Sequence, residues 1–175
     1  MSELRGLSLT QPWASLIAIG AKKFETRSWE TSYRGLLVLH ASRGFPSSAV
    51  EFAQQDIVLG PLTRAGVVPS WWQPWHTRGY SLKDFLPLGV IIAVARLAWC
   101  FKFTHSLTYA SPDRVWRVHL QEPELSFGDF SIGRFGFLLV DVRPLPTPIP
   151  CRGHLGLWRV SDEVVAQIRS QGVAL

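Results

Sequence analysis

Leu7-Ser-Leu-Thr-Gln-Pro-Trp-Ala-Ser-Leu-Ile-Ala-Ile-Gly20, continued by Ala21-Lys-Lys-Phe-Glu-Thr-Arg-Ser-Trp29, changes its period twice. The first residues read as a short strand. Pro12 and Gly20 then bracket a short helix, with Thr10 or Gln11 at its cap, because proline suits a first turn and glycine suits a helix exit. Leu16, Ile17 and Ile19 form its buried side. From Phe24 the pattern alternates strictly. Phe24, Thr26 and Ser28 face one way, and Glu25, Arg27 and Trp29 face the other.

Working outward, Tyr33-Arg-Gly35 turns the chain into Leu36-Leu-Val-Leu-His-Ala41, an apolar run of strand length. Ser48-x-x-Glu51 predicts a capping box that opens a helix through Ile57. Residues 60–87 hold Pro61, Pro69, Pro74 and Pro87 around Trp71, Trp72 and Trp75, and predict an irregular Trp/Pro-rich insertion, or irregular structure around a short helix. The three tryptophans suit either a stacking platform for bases or a cap over the core. Gly89–Trp99 and Phe135–Val142 read as strands, Pro144–Pro150 as an extended connector, and Leu157–Val160 as a last strand. Ser161 starts a closing helix that ends near Gly172. Five or six strands and a few short helices, without internal repeats, predict a β-dominated α+β fold. The expected architecture is one domain over 1–175, a small closed or partly open barrel with short helices at its ends.

The 175 residues are 47% hydrophobic and 18% charged, a globular profile. No window approaches the ~18 apolar residues of a membrane span, since Arg96 interrupts Leu88–Cys100. The first residues lack the basic-then-apolar order of a signal peptide, so a cytoplasmic protein is expected. Cys100 and Cys151 lack the spacing of a disulfide framework or zinc site and read as core or incidental thiols. The carboxylates show no metal-ligand spacing and no glycine-rich phosphate loop precedes a helix, so neither metal nor cofactor is expected.

Net charge is +5, from 18 Lys+Arg against 13 Asp+Glu. The surplus lies toward the start: Arg5, Lys22, Lys23, Arg27, Arg34 and Arg43 stand against Glu3, Glu25 and Glu30. Such a basic segment suits RNA as partner, with DNA a second polyanion the same charge would serve. Within it, Lys22, Glu25, Arg27 and Trp29 supply a base, an acid, a fork of donors and a stacking ring, enough to grip a polar planar ligand. The plainer use of Glu25 and Arg27 is a solvated ion pair worth under ~1 kcal/mol.

Three blocks, Leu7-Ser-Leu-Thr-Gln-Pro-Trp-Ala-Ser-Leu-Ile17, Gly20-x-Lys22-x-x-Glu25-x-Arg27 and Arg34-Gly-Leu-Leu-Val-Leu-His-Ala-Ser42, resemble the ASCH domain family, whose signature is G-x-K-x-x-E-x-R and which is related to the PUA domain. The likeness continues at Leu88–Leu97, Gly133–Leu139 and Pro150–Trp158. The resemblance implies a PUA-like pseudo-barrel with a cleft between barrel and helices, lined by the signature residues. It implies RNA or nucleotide binding. Some relatives are similar to hydrolases, either ribonucleases or an N4-acetylcytidine amidohydrolase, and on that alternative Lys22 and Glu25 would be catalytic. Glu25 stands where the amidohydrolase has a nucleophilic threonine. Thr26 is adjacent but points to the opposite strand face by parity. The expected ligand-binding residues are Trp13, Lys22, Glu25, Arg27, Trp29, Arg34, His40, Ser42 and Arg134, with His40 equally suited to a structural role. Glu25 is expected to be substantially buried in a concave site, beside Arg27, and bonded to a basic side chain or backbone amide. Its pKa should fall beside these cations unless burial dominates.

Overall fold

The computed structural model describes residues 4–75, 79–104, 108–110, 115–117 and 120–175. The elements run β1 (Arg5–Leu9), α1 (Trp13–Ala18), β2 (Phe24–Arg27), β3 (Gly35–Ala41), α2 (Ser47–Ala53), α3 (Asp56–Arg64), β4 (Val90–Lys102), β5 (Thr108–Ala110), β6 (Val115–Arg117), β7 (Phe135–Pro150), β8 (Leu157–Arg159) and α4 (Asp162–Ser170). Six strands form one sheet in the order β2-β7-β4-β3-β1-β8, and β5 and β6 pair with each other. β1 and β3 are parallel; the other pairs are antiparallel.

Long strands at the centre let the sheet curl. The β4–β7 ladder slips register between Ile91 and Ala93, between Val94 and Arg96, and between Leu97 and Trp99. Such irregularities bend and twist a strand pair. The result is a half-barrel, whose edge strand β2 is tied to β1 by Arg27 Nη2 donating to the Ser8 carbonyl at 2.7 Å. Leu7, Leu9, Leu37, Leu39, Ala95, Leu97, Phe137 and Leu139 fill its core, with Ala14 and Ile17 of α1 packed among them. Each large side chain so buried contributes about 1.5–3 kcal/mol. A second cluster joins Leu16 to α2, α3, Trp72, Leu82 and Phe127, and a third packs α4 through Val164 and Ile168 onto Val38, Ile91 and Trp158.

Three local expectations need correction. The Ser48–Ile57 helix is two helices: α2 starts at Ser47 after Pro46, without a side-chain cap, and extended Gln55 separates it from α3. Asp56 then sits in the first turn of α3, where a carboxylate complements the helix dipole. The irregular insertion begins later than 60, because α3 carries Pro61 through to Arg64. Beyond it a 3-10 turn at Leu82–Asp84 carries the capping box, made by Ser81 and Asp84. Trp72 is buried there, whereas Trp71 and Trp75 are exposed. Finally, Pro144–Pro150 is no connector but the second half of β7, paired with β4. β2 pairs only Phe135–Leu138, so the prolines lie where β7 has become an edge and a missing N–H costs little.

Candidate ligand cleft

The turn after α1 drives Lys22 inward. Gly20 takes φ 76°, a left-handed conformation, and the Lys22 amide donates back to the Leu16 carbonyl at 3.1 Å. The Lys22 side chain is 1% exposed. Its Nζ lies 3.6 Å from Glu124 Oε1 and 5.6 Å from the Phe130 ring centre, and it has no hydrogen-bond partner. A Cβ on Gly128 would stand 3.0 Å from Nζ, so glycine there leaves room for the ammonium.

Glu124 holds the start of β2 from 100 residues away: its carboxylate accepts from the Lys23 amide at 2.8 Å and the Phe24 amide at 3.1 Å. Next along the strand, Glu25 is 12% exposed and its Oε1 lies 3.0 Å from Arg27 Nε. It lines a cavity of about 260 Å³ together with Trp13, Thr26, Phe52, Gly128, Asp129 and Arg134. Trp13 stacks on Phe52 with ring centres 5.2 Å apart. Arg134 Nε lies 3.2 Å from Asp129 Oδ2, and its Nη2 donates to the Thr26 carbonyl at 3.4 Å. Thr26 shares this cavity despite its opposite parity, because the Asp129 amide donates to its Oγ1 and folds the loop across the strand edge.

Burial sets the protonation of the pair. It pushes Glu25 above the usual carboxylate range, opposed by Arg27, Lys22 and Arg134. It pushes Lys22 below the usual ammonium range, opposed by Glu25 and Glu124. The two groups are thereby brought toward one another in acidity. Since folded Glu25 has a raised pKa, the native state binds more protons than the unfolded chain between the two values. Its stability contribution is present below the unfolded pKa and is lost as pH rises through the folded one. Glu25→Gln should flatten that fall while keeping the fold, and urea midpoints from about pH 4 to 8 check it. Identical profiles for both proteins would contradict it.

The remaining predicted residues lie elsewhere. Trp29 is half-buried against the half-barrel core, edge-on to Phe137 at 5.0 Å, and does not line this cavity. Arg34 is committed to the backbone: Nη1 donates to the Thr31 and Tyr33 carbonyls and Nη2 to the Cys100 carbonyl. His40 and Ser42 line a different, larger cavity. Burial raises the thiol pKa of Cys100 and of Cys151, which fits unreactive thiols. Among the described residues no group of three His, Cys, Asp or Glu could hold a metal, and no helix is long and apolar enough to cross a membrane.

Glu124, Gly128 and Asp129 escaped the sequence reading. They follow a stretch without clear periodicity and touch the signature only through the fold.

A sequence model of the ASCH domain matches residues 7–110, and the chain belongs to the ASCH domain family. Activating signal cointegrator 1 of Homo sapiens and of Mus musculus are each 51% identical to it over 41 residues. That match takes in 23% of this chain and only 7% of either relative's length. The fold is similar to the crystal structure of ASCH from Zymomonas mobilis, with a TM-score of 0.51 at 15% identity, covering 96% of this chain and 94% of that one. A mutant of the Zymomonas mobilis protein gives the same score and identity over 96% and 97%.

Proposed function

We propose that the chain binds single-stranded RNA or a nucleotide in the cleft around Lys22, Glu25, Arg27 and Arg134. The observation that carries this reading is the Lys22 ammonium, 1% exposed and without a hydrogen-bond partner beside a concave site. Its ion pair with Glu124, at 3.6 Å, leaves the ammonium's hydrogen-bonding capacity unused, and a ligand acceptor drawn into the cleft would use it. Trp13 offers a ring for a base, and Arg134 a guanidinium for phosphate. Labelled single-stranded RNA should bind at low salt and lose affinity steeply as salt rises, because phosphate contacts release counterions. Fluorescence anisotropy at two salt concentrations measures this; no binding at the lower one ends the reading.

Hydrolysis of RNA or of an acylated nucleoside is the second reading, favoured by the converging acidities of Lys22 and Glu25. In it Glu25 orients water as general base and Lys22 stabilises developing charge. Incubation with structured RNA and with N4-acetylcytidine, beside Lys22→Met, separates turnover from binding. Equal product from the variant assigns the turnover to other residues.

A further inference from the structure

The larger cavity, about 860 Å³, opens where the ends of β1, β3 and β7 meet the loop before β8. Ser8, His40, Arg43, Arg152 and His154 supply its polar lining together with Ser42, and no carboxylate contributes to it. We propose that this cavity is a phosphate site for a phosphate group carried on a nucleic acid or nucleotide. The inference goes beyond the cleft reading and stands on different side chains.

Charge gives the first argument. Arg27 and Arg134 each face a carboxylate, at 3.0 and 3.2 Å, but the guanidinium groups of Arg43 and Arg152 have neither an ion pair nor a hydrogen bond among the described residues. Two guanidiniums lining one carboxylate-free cavity favour an anion there, and their planar forks match phosphate oxygens.

The walls give the second. Gly89 takes φ 70°, and a Cβ there would stand 3.5 Å from Arg43 Nε, so the guanidinium lies over bare backbone. A Cβ on Gly153 would fall 2.4 Å from His40 Nδ1 and 2.5 Å from Ser8 Oγ. Only glycine lets the loop carrying Arg152 and His154 close on the sheet. Ser8 Oγ accepts from Trp158 Nε1 at 3.2 Å, leaving its own hydroxyl proton to donate. His40 is 3% exposed and its Nε2 donates to the Cys151 carbonyl at 3.0 Å, while Nδ1 has no partner. Burial, with His154 adding to it, lowers the His40 pKa, and an anion nearby offsets both effects. Size decides the source: pockets of roughly 300–1,000 Å³ suit organic ligands, so phosphate attached to a nucleoside fits better than the free ion.

The test is a 1H–15N titration of the full chain with a nucleoside 5′-monophosphate, a 5′-hydroxyl tetranucleotide and inorganic phosphate. Either of the first two should shift the amides of Gly89, Gly153 and His154, and Arg43→Gln/Arg152→Gln should weaken that binding by about tenfold or more. Both arginines are exposed, so the double variant should fold, and its spectral dispersion verifies this. Equal affinity for inorganic phosphate would overturn the nucleic-acid source. No shift at these amides, or one indifferent to the arginine pair, would overturn the site. Shifts confined to Thr26 and Gly128 would do the same while leaving the cleft reading intact.

Discussion

Lys22→Met should weaken binding of single-stranded RNA by about ten- to a hundredfold at low salt, as loss of one charge-assisted contact of ~1.5–3 kcal/mol requires. The logarithmic salt slope should fall by about one as well. Methionine keeps the aliphatic length, so the packing against Phe130 and Gly128 survives the change. Stability should respond in the opposite sense to binding. Folded Lys22 has a depressed pKa, so between that value and its ordinary one the native state holds fewer protons than the unfolded chain. Wild-type stability therefore rises with pH across that interval, and the variant loses the rise. Anisotropy and urea titrations at several pH values measure both. A variant that binds as tightly as wild type would remove Lys22 from the site.

Gly6→Ala should produce the largest loss of stability. Gly6 pairs with Trp158 across β1 and β8, and a Cβ on it would stand 2.4 Å from Trp158 Cε2 and Cζ2. Trp158 is itself 8% exposed, packed in the cluster beneath α4, and bonded to Ser8 through Nε1. The indole is also in ring contact with His40 and His154, so relief requires these contacts to shift and the Ser8 bond to break. Overpacking of this kind costs about 1–3 kcal/mol. The thermal midpoint should drop by several degrees, and an unchanged midpoint would show that β8 yields freely.

What the sequence made legible was what local periodicity encodes. Alternation over Phe24–Trp29 gave β2, and the apolar runs gave β3, β4 and the first half of β7. The shared parity of Glu25 and Arg27 anticipated their ion pair, and Glu25, 12% exposed, lines a concave site; Arg27 does not line it with Glu25, because its guanidinium reaches across to the Ser8 carbonyl. Parity failed for Trp29, because it lies beyond the last residue of β2 and follows the core rather than the strand. Arg34 misled for another reason: a guanidinium beside a turn finds backbone carbonyls before it finds a ligand. Burial outweighed three cations in setting the acidity of Glu25, and desolvation depends on tertiary neighbours that no spacing reveals. The cap at Ser48 failed because Pro46 already starts the helix.

The partnership of β2 with β7 bears on how the protein comes into being on the ribosome. The whole G-x-K-x-x-E-x-R signature is synthesised by Arg27, yet Glu25 waits for Phe137 as its strand neighbour and the Lys23 amide waits for Glu124. Contacts so distant along the chain form late, because a long loop must close before they reward it. A chain ending at residue 110 thus displays every letter of the motif and lacks the wall of the site built by Gly128, Asp129 and Arg134. A fragment cut there is a label without an address, and only the arrival of residues 124–138 makes the signature meaningful.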